Sequence, residues 1–382
     1  MYDLGIVGGG IHGASLAFHA ARRDASVVLM ERGTIAGGPT GRSSAVCRAY
    51  YTNPFLAEVA QEGIDALIDF ETFTSGRTGT YEKGGMLALH GSKEEAQATK
   101  AVPALADAGI DVDLVEVDRI AEMLPGARLD DIAIGVWQGK AGWADPVPTT
   151  TAIAERASDL GAQLRVDSKV EAIERSDSGW VLKTASDAIE VEKVVIAAGP
   201  WTAALAKQVG ADIPLICERH FVATFGWGDA PRVSFSIADI PGGYYAKPEG
   251  SELVCLGSLL PEEEADPDDF DEEAGVEESL AIGATFMKRV PSMEGIESRR
   301  GWASLYDVSP DWMPVIGEIA EGVYVDAGTS GHGFKLAPSL ARYVVDLALD
   351  GRGDPRLAQF APGRFSGVGK LNAGFGDARI LG

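Results

Sequence analysis

Gly8, Gly10 and Gly13 stand in the spacing G-x-G-x-x-G, directly after the apolar run Leu4-Gly-Ile-Val7. A strand that ends in such a run enters a turn needing positive φ, which glycine adopts without a Cβ penalty. Gly10 lets the main chain approach a pyrophosphate, and Gly13 lets the following helix, expected over residues 11–23, pack closely on the strand. That helix would aim its N-terminal amides and positive dipole end at phosphate. A second strand, Ser26 to Met30, ends at Glu31, eighteen residues after Gly13. A carboxylate there accepts hydrogen bonds from a ribose diol. Strand before and acid after favour a dinucleotide site over a fortuitous glycine-rich turn.

Two further stretches carry candidate chemistry. Val194-Val-Ile196 runs into Ala197-Ala-Gly199-Pro200, as a buried parallel strand ending in a tight turn would. Alone it reads as an ordinary core strand; beside the first fingerprint, Gly199 becomes a second backbone contact to the dinucleotide. Near the other end, Lys335 stands between Phe334 and Leu336 in a small, apolar run. A buried ammonium needs a specific partner.

The elements that must position these residues follow from periodicity. After the N-terminal β-α-β unit come a Gly/Ser-rich segment (36–44), an amphipathic helix (54–73), a strand (80–90) and a helix (92–109). A strand at 132–137 leads to a helix after Pro146, and residues 215–260 are strand-rich and broken by glycines. A helix near 276–290, strands near 297–306 and 323–327, and a long helix over 335–349 complete the chain. The expected fold class is α/β. A discontinuous Rossmann-like domain takes residues 1–79, 145–214 and 297–382. A second, substrate domain takes 80–144 and 215–296, built on a mixed, largely antiparallel sheet.

At 382 residues and 46% hydrophobic content the chain is long enough for two such cores. Its formal charge of −24 argues against binding nucleic acid or an anionic membrane by bulk electrostatics. Nine of the thirteen residues from Pro261 to Glu273 are acidic, which reads as a solvated connecting loop. Three widely spaced cysteines suggest a reducing compartment and no metal site. No apolar run reaches membrane-spanning length. The first strand starts at residue 2, leaving no room for a targeting peptide, so a cytoplasmic protein is expected.

Taken in order, Gly8-Gly-Gly10-Ile-His-Gly13, Thr40-Gly-Arg-Ser43-Ser44, Val195-Ile-Ala-Ala-Gly199, Ser309-Pro-Asp311 to Gly317, and Gly328-Thr-Ser-Gly-His-Gly-Phe-Lys335 carry a resemblance over essentially the full length. The chain resembles the D-amino-acid oxidase superfamily of FAD enzymes, nearest its sarcosine oxidase, glycine oxidase and dimethylglycine dehydrogenase branch. The resemblance implies FAD as cofactor, with Gly8, Gly10, Gly13 and Glu31 on its ADP half. Arg32 would lie beside the ribose, and Ser43 and Ser44 beside the pyrophosphate and ribityl chain. Gly328, Gly331 and Gly333 would admit the pyrimidine end of the flavin, with Lys335 stabilising negative charge on the reduced ring.

The resemblance also implies that Arg48 and Lys335 hold a substrate carboxylate, a planar two-donor fork beside a point charge. The other reading of Arg48 is a surface ion-pair partner. His332 is similar to a family histidine near the flavin; a hydrogen-bonded core histidine is the alternative. Tyr245 and Tyr306 match aromatic positions on the substrate side, or are plain core. Two departures matter. Ser304 and a histidine-free stretch over 33–50 stand where relatives attach FAD covalently, so a non-covalent FAD is expected. Cys255 stands where oxidases carry a lysine over the flavin, with Lys247 as a compensating charge nearby, so oxygen and an unidentified carrier both stay open as electron acceptor.

The expected reaction is oxidation of an amino acid at its carbon–nitrogen bond, first of a secondary or N-methyl amino acid. The alternatives are a D-amino acid or glycine, a 2-hydroxy acid, and a non-catalytic FAD-holding assembly protein.

Overall fold

The computed structural model describes residues 1–366 and Leu371; the remainder of the expected segment 297–382 lies outside the described residues. The first strand, Tyr2–Val7, lies at the centre of a sheet because it is apolar on both faces. It pairs in parallel with Val27–Met30 on one side and Ala188–Ile196 on the other. Gln163–Arg165 extends that sheet beyond Val27–Met30, and Val323–Ala327 beyond Ala188–Ile196, both in parallel. Val315–Ala320 closes one edge antiparallel, and the meander Ala172–Ser176, Gly179–Lys183 folds back onto Ala188–Ile196.

The helix Ile11–Ala21 is buried at all eleven positions. Its small residues let it sit between the sheet and the helices Pro146–Asp159 and Gly333–Asp350, the latter in turn packed on Pro54–Ile68. His19 inside it donates from Nε2 to the Pro338 carbonyl at 2.8 Å, and burial lowers its pKa to about 4.

The second sheet runs in the order Glu297–Ser298, Ile216–Gly226, Leu253–Ser258, Tyr244–Glu249, Ser236–Asp239, Met86–His90, Ile134–Gln138, Asp113–Val115. Its pairs are antiparallel apart from Ser236–Asp239 with Met86–His90. One expected boundary differs. Trp302–Val308, placed by the sequence on the nucleotide side of residue 297, pairs over seven residues with Ile216–Val222 of this second sheet. The chain returns to the first sheet only after Val308. The strand expected over 80–90 begins at Met86. Gly85, at φ +83°, breaks the extended backbone, and a Cβ at Gly84 or Gly85 would strike the rings of Trp143 and Trp137.

An ion cluster joining the buried Arg289 and Asp239 to the exposed Asp131 braces the second sheet. Arg289, at the end of the helix Val276–Arg289, donates to Asp239 at 2.7 and 3.2 Å and to Asp131 Oδ2 at 2.9 Å. Arg289→Met strands the fully buried Asp239 carboxylate. A loss of about 3–5 kcal/mol is expected, read as a lower denaturation midpoint; an unchanged midpoint would refute it.

Candidate active site

A cleft of about 1040 Å³ runs between the two sheets, from the glycine turn at residues 8–10 to Tyr245 and Tyr306. Its size is at the upper end for a ligand site, as an extended dinucleotide requires. The glycine pattern has direct steric causes. Gly8 has φ +115°, and a Cβ there would lie 2.3 Å from the Ala197 carbonyl oxygen. A Cβ on Gly13 would lie 1.8 Å from the Gly8 carbonyl oxygen, so Gly13 supports the turn from behind without lining the cleft. Gly10 precedes the buried helix, caps it with no side chain, and faces Thr40, whose hydroxyl accepts from the Ile11 N–H at 3.1 Å.

Glu31 receives the Gly9 N–H at 2.6 Å on one carboxylate oxygen and the Gly33 N–H at 2.8 Å on the other. Each oxygen keeps lone-pair capacity for a hydroxyl. Ser43 and Ser44 line the cleft, with the Ser44 hydroxyl 3.0 Å from that of Tyr245. Gly199 lines it too, at φ +52°. Arg32 also lines it, but its guanidinium is engaged by Asp268 at 2.8 Å and lies 4.7 Å over the Trp201 ring. The residues present fit an FAD-sized dinucleotide.

The turn at 328–333 closes the inner end. Asp307 accepts from the Gly328 N–H at 2.7 Å and from the Thr329 hydroxyl at 3.3 Å. Gly331 has φ +81°, and a Cβ there would lie 2.5 Å from the Tyr306 ring. Gly333 faces His12 closely enough that a Cβ would sit 2.8 Å from Nε2. Gly328 does not line the cleft. Its φ of +64° turns the chain against Val315 and Leu215, so its contribution is to shape the turn.

A second, smaller cavity, about 60 Å³, shares Ser43, Ser44, Tyr245, Tyr306 and Gly331 with the cleft. Arg48 and Lys335 line it and are both buried. Arg48 lies 4.3 Å over the Tyr51 ring and donates to the Tyr50 carbonyl; Lys335 Nζ lies 5.8 Å from the same ring. Burial, and then the Arg48 charge, hold the Lys335 ammonium well below its usual range. Cys47 alone opposes this, and no carboxylate acts on Lys335 among the described residues.

His332 lines neither cavity. It is fully buried, its ring 5.7 Å from that of Tyr51 and without a hydrogen-bond partner among the described residues. Burial, Lys335 and Arg48 push its pKa well below the usual value, so it stands as a neutral residue behind the pocket wall. Lys247 lies opposite Cys255 in register, pairs with Glu249, donates to the Ser44 carbonyl at 3.3 Å, and lines neither cavity. Burial raises the Cys255 thiol to about 12, so it carries no charge.

Two cleft residues gave no separate signal in the sequence. His12, a variable position inside the glycine fingerprint, reaches Asp326 with Nδ1 at 2.9 Å and the Gly333 carbonyl with Nε2 at 3.1 Å. Burial lowers its pKa, but Asp326, Asp307 and the Gly333 carbonyl together outweigh this and the net shift is upward. His12 thereby ties the fingerprint helix to the 328–333 turn. His220 stacks on Tyr306 at 3.9 Å, both lining the cleft and brought together by pairing of distant strands, and it bonds Glu218 of its own strand at 3.1 Å.

Residues 3–347 match the family model described as DAO, FAD dependent oxidoreductase. Among characterised proteins, the chain is similar to monomeric sarcosine oxidase of Bacillus sp. (strain B-0618), 25% identical over 378 residues, covering 95% of this chain and 96% of that one. It is similar to glycine oxidase of Geobacillus kaustophilus (strain HTA426), 26% identical over 359 residues, covering 91% and 92%. Among solved structures, L-proline dehydrogenase from P. horikoshii superposes with a TM-score of 0.86 at 24% identity, covering 96% of this chain and 98% of that one, a likeness of fold.

Proposed function

Since this chain belongs to the DAO family of FAD-dependent oxidoreductases, we propose that it oxidises the carbon–nitrogen bond of an amino acid, with a secondary or N-methyl amino acid as the first substrate class. The observation that carries this reading is Lys335, a buried lysine on which no carboxylate acts among the described residues, in a small cavity that shares a wall with the cofactor cleft. A substrate carboxylate supplies the missing counter-charge, and Arg48 adds a planar donor fork beside it. The relatives named sarcosine oxidase and glycine oxidase support small amino acids, as does the size of the cavity.

FAD, when bound, supplies the two-electron acceptor chemistry. The first sheet and its helices form the FAD body, with FAD held non-covalently; the second sheet forms most of the substrate wall. With the carboxylate on Arg48 and Lys335, the amine and Cα extend toward Tyr245, Tyr306 and Gly331, where the two cavities meet. The cations lower the pKa of the nearby substrate ammonium and favour its neutral, lone-pair form. With FAD as the acceptor, loss of hydride from Cα of the neutral amine would leave an iminium, which gives up a proton to become the imine, and water would then convert that to a carbonyl compound and an amine.

The deciding experiment follows flavin absorbance anaerobically against N-methyl, D- and L-amino acids and 2-hydroxy acids. Bleaching by an N-methyl amino acid is expected. Bleaching by 2-hydroxy acids alone would move the reaction to a carbon–oxygen bond, and none at all would favour a non-catalytic FAD protein. Readmitting air distinguishes oxygen from a carrier as acceptor by the speed of colour return.

Lys335 also predicts a pH dependence. Its ammonium is depressed when the pocket is empty, and a bound carboxylate raises it, so binding takes up a proton. Propionate, which has no amine, should bind best at low pH and weaken as pH rises through the depressed pKa. Titrating the flavin spectrum measures this, and Lys335→Met should flatten the profile. A wild-type affinity independent of pH would refute the assignment.

A further inference from the structure

The acidic segment expected as a solvated loop is part of the cofactor cleft. Pro267, Asp268, Phe270 and Glu272 line it. Both ends of the segment are pinned to the second sheet. On the incoming side the Ala265 N–H donates to the Cys217 carbonyl at 2.9 Å, and the Arg219 N–H to the Glu263 carbonyl at 3.0 Å. On the outgoing side the Ala303 N–H donates to the Glu272 carbonyl at 2.7 Å. Between these anchors a tight turn, in which the Asp268 N–H donates to Asp266 Oδ1 at 2.9 Å, carries Asp268 across to the first sheet's body.

There one carboxylate oxygen of Asp268 accepts from Arg32 Nη1 at 2.8 Å and from Trp201 Nε1 at 3.0 Å. Arg32 itself lies over the Trp201 ring. A second latch joins Arg42 to Glu272 at 2.7 Å, with the Arg42 guanidinium also 5.8 Å from the Phe270 ring. The side-chain contacts of Asp268 and Glu272 cross from one sheet's body to the other, while the backbone anchors, that of the Glu272 carbonyl included, stay within the second sheet.

We propose that residues 266–272 form a clasp over the dinucleotide cleft, fastened by Asp268 to Arg32 and Trp201 and by Glu272 to Arg42, which FAD must open both to enter and to leave. The charge pattern supports this. A segment this acidic repels the diphosphate of a dinucleotide, so its closed position beside the cleft is held by the two arginines and is not a ligand contact in its own right. Both latching pairs are partly exposed, so the clasp is held by contacts of modest strength that salt screens. A gate of this kind slows uptake and release together and leaves affinity nearly unchanged. A residue that merely touched FAD would alter release alone.

The proposal rests on the cleft as the FAD site and is independent of which amino acid is oxidised. The test compares the wild-type holoprotein with Asp268→Asn and Asp268→Asn/Glu272→Gln. Release is followed by flavin fluorescence on dilution, and uptake by mixing apoprotein with FAD, each at low and high ionic strength and without substrate. At low ionic strength the double variant should take up and release FAD about five- to tenfold faster than wild type, from loss of two weak latches. At high ionic strength the difference should shrink, because salt already loosens the wild-type clasp. Trp201→Phe, which keeps the aromatic surface and removes one donor, should shift both rates in the same direction and serves if the double variant does not fold. Unchanged rates, or faster release with unchanged uptake, would overturn the clasp. A wild-type chain that takes up no FAD would overturn the cleft assignment, and the clasp with it.

Discussion

Arg48→Ala is expected to raise the substrate KM by about 30-fold or more while the purified protein keeps its full complement of FAD. Truncating one partner of a buried, hydrogen-bonded charge pair costs about 2 kcal/mol or more, and Arg48 sits in a buried pocket where water replaces its fork poorly. FAD should be retained because Arg48 lines the small cavity and not the cleft. Steady-state kinetics with the best substrate of the panel, together with the flavin-to-protein absorbance ratio, measure both halves. An unchanged KM would remove Arg48 from the carboxylate clamp, and loss of flavin would place it in the cofactor site instead.

Gly13→Ala should have the largest effect on cofactor binding. The added methyl would lie 1.8 Å from the Gly8 carbonyl oxygen and 2.9 Å from its carbon. Both are backbone atoms and cannot swing away. Nor can the helix Ile11–Ala21 retreat, since every one of its residues is already buried against the sheet and two other helices. The strain therefore falls on the glycine turn that lines the cleft. At about 3 kcal/mol, the upper end of overpacking costs, FAD affinity falls about 100-fold. Titrating apoprotein with FAD tests this, with far-ultraviolet dichroism as the control for folding. Wild-type affinity would show that the turn adjusts elsewhere.

The parts legible in the sequence share one property: their signals are local. The strand Tyr2–Val7, the glycine spacing, Glu31 at the end of the next strand and the apolar run into Gly199 are each written in a short stretch of chain, and the structure brings Val7, Gly8, Gly10, Glu31 and Gly199 to one cleft. Lys335 stood out for the same reason, as a cation in an apolar helix start. The antiparallel second sheet was legible from the glycine-broken strands of 215–260.

The remainder depended on contacts between distant segments. Trp302–Val308 looks like any strand, and only its seven-residue pairing with Ile216–Val222 assigns it to the second sheet. That pairing also puts His220 on Tyr306. The motif resemblance puts Gly328 at the cofactor and His332 near the flavin, with a core histidine as the alternative for His332; the turn directs Gly328 into packing and buries His332.

What the sequence alone determined, then, is the dinucleotide turn and its chemistry, because glycine's freedom and a strand's apolarity are properties of short stretches of chain. The tertiary structure decided which charges are neutralised and which stay available. Arg32 and Lys335 are equally cationic in the sequence, but Arg32 meets Asp268, 236 residues away, while no carboxylate acts on Lys335 among the described residues. Counter-charge is a matter of distance in space and of burial, and neither can be read along the chain.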